Sequence, residues 1–194
     1  LLDNEDSLNL GGKESEVTVL FSDIRGFTSM SEKLEPTEIV EVLNKYFKEM
    51  IKVLFEFNGT LDKIVGDELM VLYGVPLKND NDCDDAVNTA IKMFESLEKF
   101  NAKIVKDGFK PIEIGIGINK GKVVSGNIGS DQQMNYTVIG DAVNLGARLC
   151  SSAKPGELLI SNSVKQGLKR NYDFKKQPSI MVKGKAKAIE IWSI

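Results

Sequence analysis

Apolar positions fall along this chain in two rhythms. Val17-Thr18-Val19-Leu20-Phe21 is a near-continuous apolar run, the pattern of a buried strand. It predicts a first strand over 17–23, after a polar segment, 1–15, that reads as a linker. A short helical turn over 29–34 follows. From 36 to 57 the period lengthens: Ile39, Val40, Leu43, Tyr46, Phe47, Met50, Ile51, Leu54 and Phe55 recur at helical spacing. Pro36 suits a first helical position, and Asn58-Gly59 supplies the stop. Residues 60–73 read as two short strands meeting at Gly66-Asp67. A second amphipathic helix is predicted over 82–106, with Asp82, Asp84 and Asp85 at the positive end of its dipole. Strands are then predicted over 112–118 and 123–128, with a turn at Asn119-Lys120-Gly121-Lys122 between them. Gly115 and Gly117 alternate with isoleucines, which implies a close neighbour on one face. A helix over 142–152 with Asp141 as N-cap, a strand over 158–161, a short helix near 164–168 and an alternating apolar and basic tail over 180–191 complete the chain.

This order has a topological consequence. A right-handed helical crossover returns the second strand parallel to the first. The tip of the next hairpin then lies at the edge of the sheet where the first strand ends. Asp23 ends that strand and Asp67 sits in that tip, so the two carboxylates meet. Paired carboxylates repel unless a cation lies between them or one takes a proton. Asp23-Ile24-Arg25-Gly26-Phe27-Thr28 adds a glycine and a helix start, where backbone amides favour an anion. Taken alone, the stretch fits equally a metal–nucleotide site and a buried strand whose aspartate caps a turn. Asn144 and Arg148 are four apart and share a helix face. They suit a sugar and a phosphate, or each other on a wet surface. Lys122 suits a phosphate or solvent.

Composition narrows the chemistry. The chain has 194 residues, a formal net charge of -3, no histidine and two cysteines. Histidine triads and histidine-ligated zinc are excluded, and no positive excess draws in nucleic acid. Cys83 and Cys150 have no partner at metal-site spacing and point to a reducing compartment. Chemistry must rest on carboxylates, Lys, Arg, Asn, Thr and a bound ion.

Four segments, Phe21 to Thr28, Leu61 to Asp67, Tyr136 to Arg148 and Val182 to Lys185, together resemble the catalytic domain of class III nucleotidyl cyclases, nearest to bacterial adenylyl cyclases. The resemblance covers 16–194. It implies an α+β fold: a ferredoxin-like, palm-type βαββαβ core with a C-terminal αβ extension, a mostly antiparallel sheet and helices on one face. It implies a head-to-tail homodimer with active sites between subunits, ATP as substrate, and two divalent cations, Mg²⁺ or Mn²⁺, on Asp23, Asp67 and the Ile24 carbonyl. Lys63 and Thr137 would read the base, Asn144 the ribose and Arg148 the α-phosphate. Lys185 would hold the triphosphate, and Gly26, Phe27, Thr28 and Lys122 are expected to bind the nucleotide as well. Arg25 is read as structural. An upstream regulatory domain is expected in a longer, soluble or membrane-anchored parent whose catalytic domain is cytoplasmic.

The base follows from donor and acceptor chemistry. Adenine offers an acceptor at N1 and a donor at its amino group. Lys63 only donates, and Thr137 can accept. The guanylyl branch usually carries Glu where Lys63 stands, so ATP is favoured over GTP. The rivals are a guanylate cyclase, a diguanylate cyclase, whose Gly-Asp-Glu turn resembles Gly66-Asp67-Glu68, and a non-catalytic nucleotide-binding regulatory domain.

Overall fold

The structure is a computed structural model that describes residues 11–130, 133–181 and 188–194. In chain order its elements are β1 (Gly11–Ile24), α1 (Phe27–Ser31), α2 (Pro36–Glu56), β2 (Thr60–Val65), β3 (Glu68–Tyr73), α3 (Asp82–Ile104), β4 (Ile114–Ser130), β5 (Gln133–Ile139), α4 (Asp141–Ser152), β6 (Leu158–Ser161), α5 (Asn162–Gly167), β7 (Lys175–Ile180) and β8 (Ile189–Ser193). Among the described residues, no helix is long and apolar enough to cross a membrane.

One sheet runs in the order β2-β3-β1-β4-β6-β8-β7, with β5 paired to β4. All its pairings are antiparallel except β4 with β6. The β2-β3-β1-β4 order, with α2 and α3 as crossovers, is the expected βαββαβ core, and β6, α5, β7 and β8 extend it. Each crossover passes over a neighbouring strand, which sets β2 parallel to β1 with β3 between them.

Side chains of β1 alternate between two packed faces. Leu20 and Ile24 join Leu69, Val71, Ile114, Ile116 and Ile118 under α2 and α3. Val17, Val19 and Phe21 join Met70, Leu72, Val123 and Val138 on the opposite face, where Ala142, Val143, Ala147 and Cys150 of α4 pack. Two covered faces explain why β1 reads as continuously apolar. They also correct the expectation that helices lie on one face.

Local chemistry sets the helix ends. Glu35 and Glu38 form a reciprocal capping box ahead of α2, with Pro36 in its first turn. Asn58 takes a left-handed φ of 58° just beyond that helix. The inward face of α2 is rotated from the expected one. Val42 and Val53 are buried, while Val40 and Phe55 are 57% and 61% exposed.

Two boundaries differ from the sequence reading. β1 starts at Gly11, inside the expected linker, and Asn119-Lys120-Gly121-Lys122 is not a turn. Both follow from one 14-pair antiparallel ladder that runs from Gly11 opposite Asn127 to Ile24 opposite Ile114. The paired strand keeps 119–122 extended, and the Asn119 amide donates to the Ala142 carbonyl at 2.8 Å. β7 was also missed, because Lys175-Lys176-Gln177-Pro178 carries no apolar alternation.

Candidate active site

Asp23 lies one residue before the end of β1, and Asp67 follows Gly66 in the β2–β3 turn. Gly66 has φ 63°, a left-handed conformation that the tight turn requires. The turn brings an Asp67 carboxylate oxygen to 3.1 Å from the Ile24 amide, which donates to it. Burial pushes the Asp67 carboxyl up to about 7. The hydrogen bond to Asp23 and its charge push the same way, against the smaller effect of the Ile24 amide. Glu68 is also raised, first by burial and then by Asp23. A carboxylate pair that stores a proton near neutrality favours replacement of that proton by a cation. Oxygen donors of this kind fit hard divalent ions. Among the described residues no group of three or more Asp, Glu, Cys or His side chains could hold a metal. Such ions would therefore draw on backbone, water or substrate oxygens as well.

Arg25 ties this pair to α4. Its guanidinium donates to Asp23 Oδ2 at 2.6 Å and to the carbonyls of Cys150 and Ala153 at 3.3 and 3.2 Å. The last carbonyls of a helix lack intrahelical partners, so Arg25 caps α4 while it orients Asp23. The two glycines make this possible. A Cβ at Gly115 would come within 3.1 Å of the Arg25 guanidinium carbon, and one at Gly117 within 2.1 Å of the Cys150 nitrogen. The close neighbour expected over the alternating glycines is α4. Gly146 completes the contact from the helix side, 2.8 Å from a Val19 methyl by the same measure. Asn144 is exposed and Arg148 half-buried, one turn apart on α4. Gly140, not Asp141, is the N-cap of α4, and Asp141 is its first residue.

The expected base-reading pair comes together. Lys63 Nζ donates to Thr137 Oγ1 at 3.3 Å. In the strand order β5 lies beyond β4, far from β2. The contact forms because the β4–β5 ribbon folds back over the α4 face, where Val138 packs with Met70 and Leu72. Sequence reasoning missed a third member, Asp62. Its Oδ2 accepts from Thr137 Oγ1 at 3.1 Å and lies 3.2 Å from Lys63 Nζ.

The remaining candidates are less concentrated. Gly26, the N-cap of the five-residue α1, has φ 69°. Phe27 is half-buried against the core and Thr28 exposed, four and five residues after Asp23. Lys122 pairs with Glu14 at 2.8 Å, largely exposed. It stands opposite Glu16, seven ladder positions from the Asp23–Gly115 pair, which is roughly 24 Å along the strand. Lys185 lies outside the described residues.

The family model "Adenylate and Guanylate cyclase catalytic domain" matches residues 12–194, and the chain belongs to that family. An adenylate cyclase of Anabaena cylindrica is 40% identical over 187 residues, which is 92% of this chain and 36% of that protein. Adenylate cyclase 1 of Rhizobium meliloti is 29% identical over 194 residues, 97% of this chain and 29% of that protein. The chain therefore spans about a third of the length of these relatives. The crystal structure of the guanylyl cyclase Cya2 matches with a TM-score of 0.92 and 38% identity, over 95% of this chain and 93% of that one. That of the adenylyl cyclase CyaB from P. aeruginosa matches with a TM-score of 0.90 and 38% identity, over 95% of each chain. The mostly antiparallel α+β fold is that of the cyclases, and the chain is a cyclase domain.

Proposed function

We propose that the domain converts ATP to 3′,5′-cyclic AMP and pyrophosphate. Likeness does not choose the base, since a guanylyl and an adenylyl cyclase match it at the same identity. The observation that carries the reading is the Lys63–Thr137 contact. It sets a donor beside a hydroxyl where the Watson–Crick edge of adenine needs a donor for N1 and an acceptor for its amino group.

In the reaction the ribose 3′-oxygen bonds to the α-phosphorus, the bond from that phosphorus to the β-phosphate oxygen breaks, and the 3′-hydroxyl proton is lost. Such transfer depends chiefly on positioning and charge stabilisation. Asp23 and Asp67, with the Ile24 carbonyl, would hold two divalent cations, Mg²⁺ or Mn²⁺, whose charge would acidify the 3′-hydroxyl and offset that of the leaving pyrophosphate. Asn144 orients the ribose. Arg148 meets the charge that grows on the α-phosphate with its fixed fork of donors. Backbone amides of Gly26, Phe27 and Thr28, together with Lys185, take the triphosphate. Arg25 positions Asp23.

The working unit is a head-to-tail homodimer, within a longer protein that supplies an upstream regulatory domain. Exposed apolar residues flank the base-reading pair: Ile64 and Val65 on β2, Tyr136 and Ile139 on β5. A partner that covers them would remove that apolar surface from water. The test is incubation with ATP or GTP and Mn²⁺, followed by identification of the product. Cyclic AMP as the main product supports the reading. Cyclic GMP alone overturns the base assignment, a dinucleotide points to diguanylate cyclase chemistry, and no product favours a regulatory module.

A further inference from the structure

The geometry points to Asp62 as the residue that sets base selectivity, by fixing the direction in which the Thr137 hydroxyl bonds. This inference rests on the adenylyl cyclase reading above and adds a positioning residue to it.

Three features single out Asp62. The first is backbone. The β2–β3 register shifts between Leu61 and Lys63, since Leu61 faces Val71 and Lys63 faces Met70. Asp62 is thus the extra residue of a β-bulge. In a regular strand, Asp62 and Lys63 would point to opposite faces. A bulge re-aims side chains, and here both reach Thr137. The second is burial. The Asp62 side chain is 0% exposed although Lys63 beside it is 47% exposed. The third is incomplete satisfaction. Oδ2 serves both Thr137 and Lys63, while Oδ1 is buried without a hydrogen-bond partner among the described residues. Such a group is costly to keep, and its presence calls for a reason other than packing.

The reason lies in what a hydroxyl can do. It has one hydrogen and two lone pairs, whereas an ionised carboxylate only accepts. The Thr137 hydrogen therefore goes to Asp62. One lone pair meets Lys63, and the other faces outward as an acceptor. Without Asp62 the hydroxyl could rotate and donate instead. With Asp62 the pair offers one pattern: a donor from Lys63 and an acceptor from Thr137. Adenine matches both. Guanine mismatches both, because O6 accepts and N1 carries a hydrogen.

The test compares kcat/KM for ATP and GTP in the full chain. Asp62→Asn keeps the shape but supplies an N–H that lets Thr137 turn its own hydrogen outward. The ATP-to-GTP ratio should fall by about tenfold, one hydrogen bond's worth of discrimination. In a Thr137→Val background, which has no hydroxyl to orient, the same Asp62→Asn change should leave the ratio unaltered within twofold. If Asp62→Asn does not fold by circular dichroism, Asp62→Ala carries the same expectation. A ratio that stays within twofold while both activities fall together would reduce Asp62 to a structural role. So would an equal shift in the Thr137→Val background. A wild-type chain that makes only cyclic GMP, or nothing, sinks the adenylyl reading itself and is recognised before any variant is compared.

Discussion

At one end of the site, two acids are joined by neighbouring strands: Asp67 lies in the β2–β3 turn, and Ile24 on β1 donates its amide to it. At the other end, Lys63 on the edge strand β2 meets Thr137 from a ribbon that starts beyond β4 and folds over the sheet. The first junction needs only a crossover and a tight turn. The second needs a folded-back ribbon, a bulge and a buried carboxylate. In the proposed reaction the first end serves phosphoryl transfer, which every member of the class must perform, and the second serves the choice of base. Damage to the first should therefore stop turnover whatever the nucleotide. Damage to the second should redirect it.

The sharpest way to break that division is to remove an acid. Asp23→Ala or Asp67→Ala should abolish cyclic nucleotide formation from either ATP or GTP while the far-ultraviolet spectrum stays native. Turnover that persists with one nucleotide would mean the acid pair is not common machinery. Arg148→Ala should come next, with a loss of about 10²–10³ in kcat, the usual effect of removing one donor to a developing oxyanion. Mixing an Asp23→Ala chain with an Arg148→Ala chain should restore part of the activity if each site draws on two subunits. A mixture that stays inactive, though both variants fold and dimerise, removes support for shared sites.

How much of each end was legible follows from how far apart in the chain its parts lie. The acid pair could be placed from the strand, helix and hairpin order, because right-handed crossovers leave one arrangement. The seat of α4 was half legible. Alternating Gly115 and Gly117 announced a close neighbour, but nothing in the spacing said that it would lie opposite α2 and α3. The predicted turn at 119–122 failed because local chemistry, Asn and Gly between apolar runs, was overridden by a ladder with β1 that holds 119–122 extended. For the same reason Gly11-Gly12 read as linker. A Cβ at Gly12 would lie 2.3 Å from a Val124 methyl, so that glycine serves a close strand contact. Asp62 was illegible, since a bulge depends on both strands and leaves no mark in one.

Gly117 offers a smaller test, of the scaffold beneath both ends. Gly117→Ala would drive a methyl into the backbone of α4 at Cys150 and Leu149. Overpacking of this kind costs about 1–3 kcal/mol, read as a lower Tm. Activity should fall with both nucleotides in parallel, because α4 carries Asn144 and Arg148 and its last turn is tied through Arg25 to Asp23. A changed ATP-to-GTP ratio would mean instead that α4 and the folded-back ribbon move together.

The gentlest probe is pH, read at the acid end. Without metal, Asp67 is raised from 3.8 to about 7. Between those values the folded chain holds a proton that the unfolded chain has released. The stabilisation from this group is complete below about pH 4 and is lost as pH rises through about 7. In metal-free buffer, Tm should therefore decline across that window, and Asp67→Asn should flatten the decline and raise Tm near pH 7.5. Mn²⁺ must displace the same proton to bind, so the gain in Tm on adding it to the wild-type chain should grow with pH up to about 7 and then level off. For Asp67→Asn that gain should be small at every pH. A wild-type Tm gain that is independent of pH would place the cation somewhere other than between these two acids.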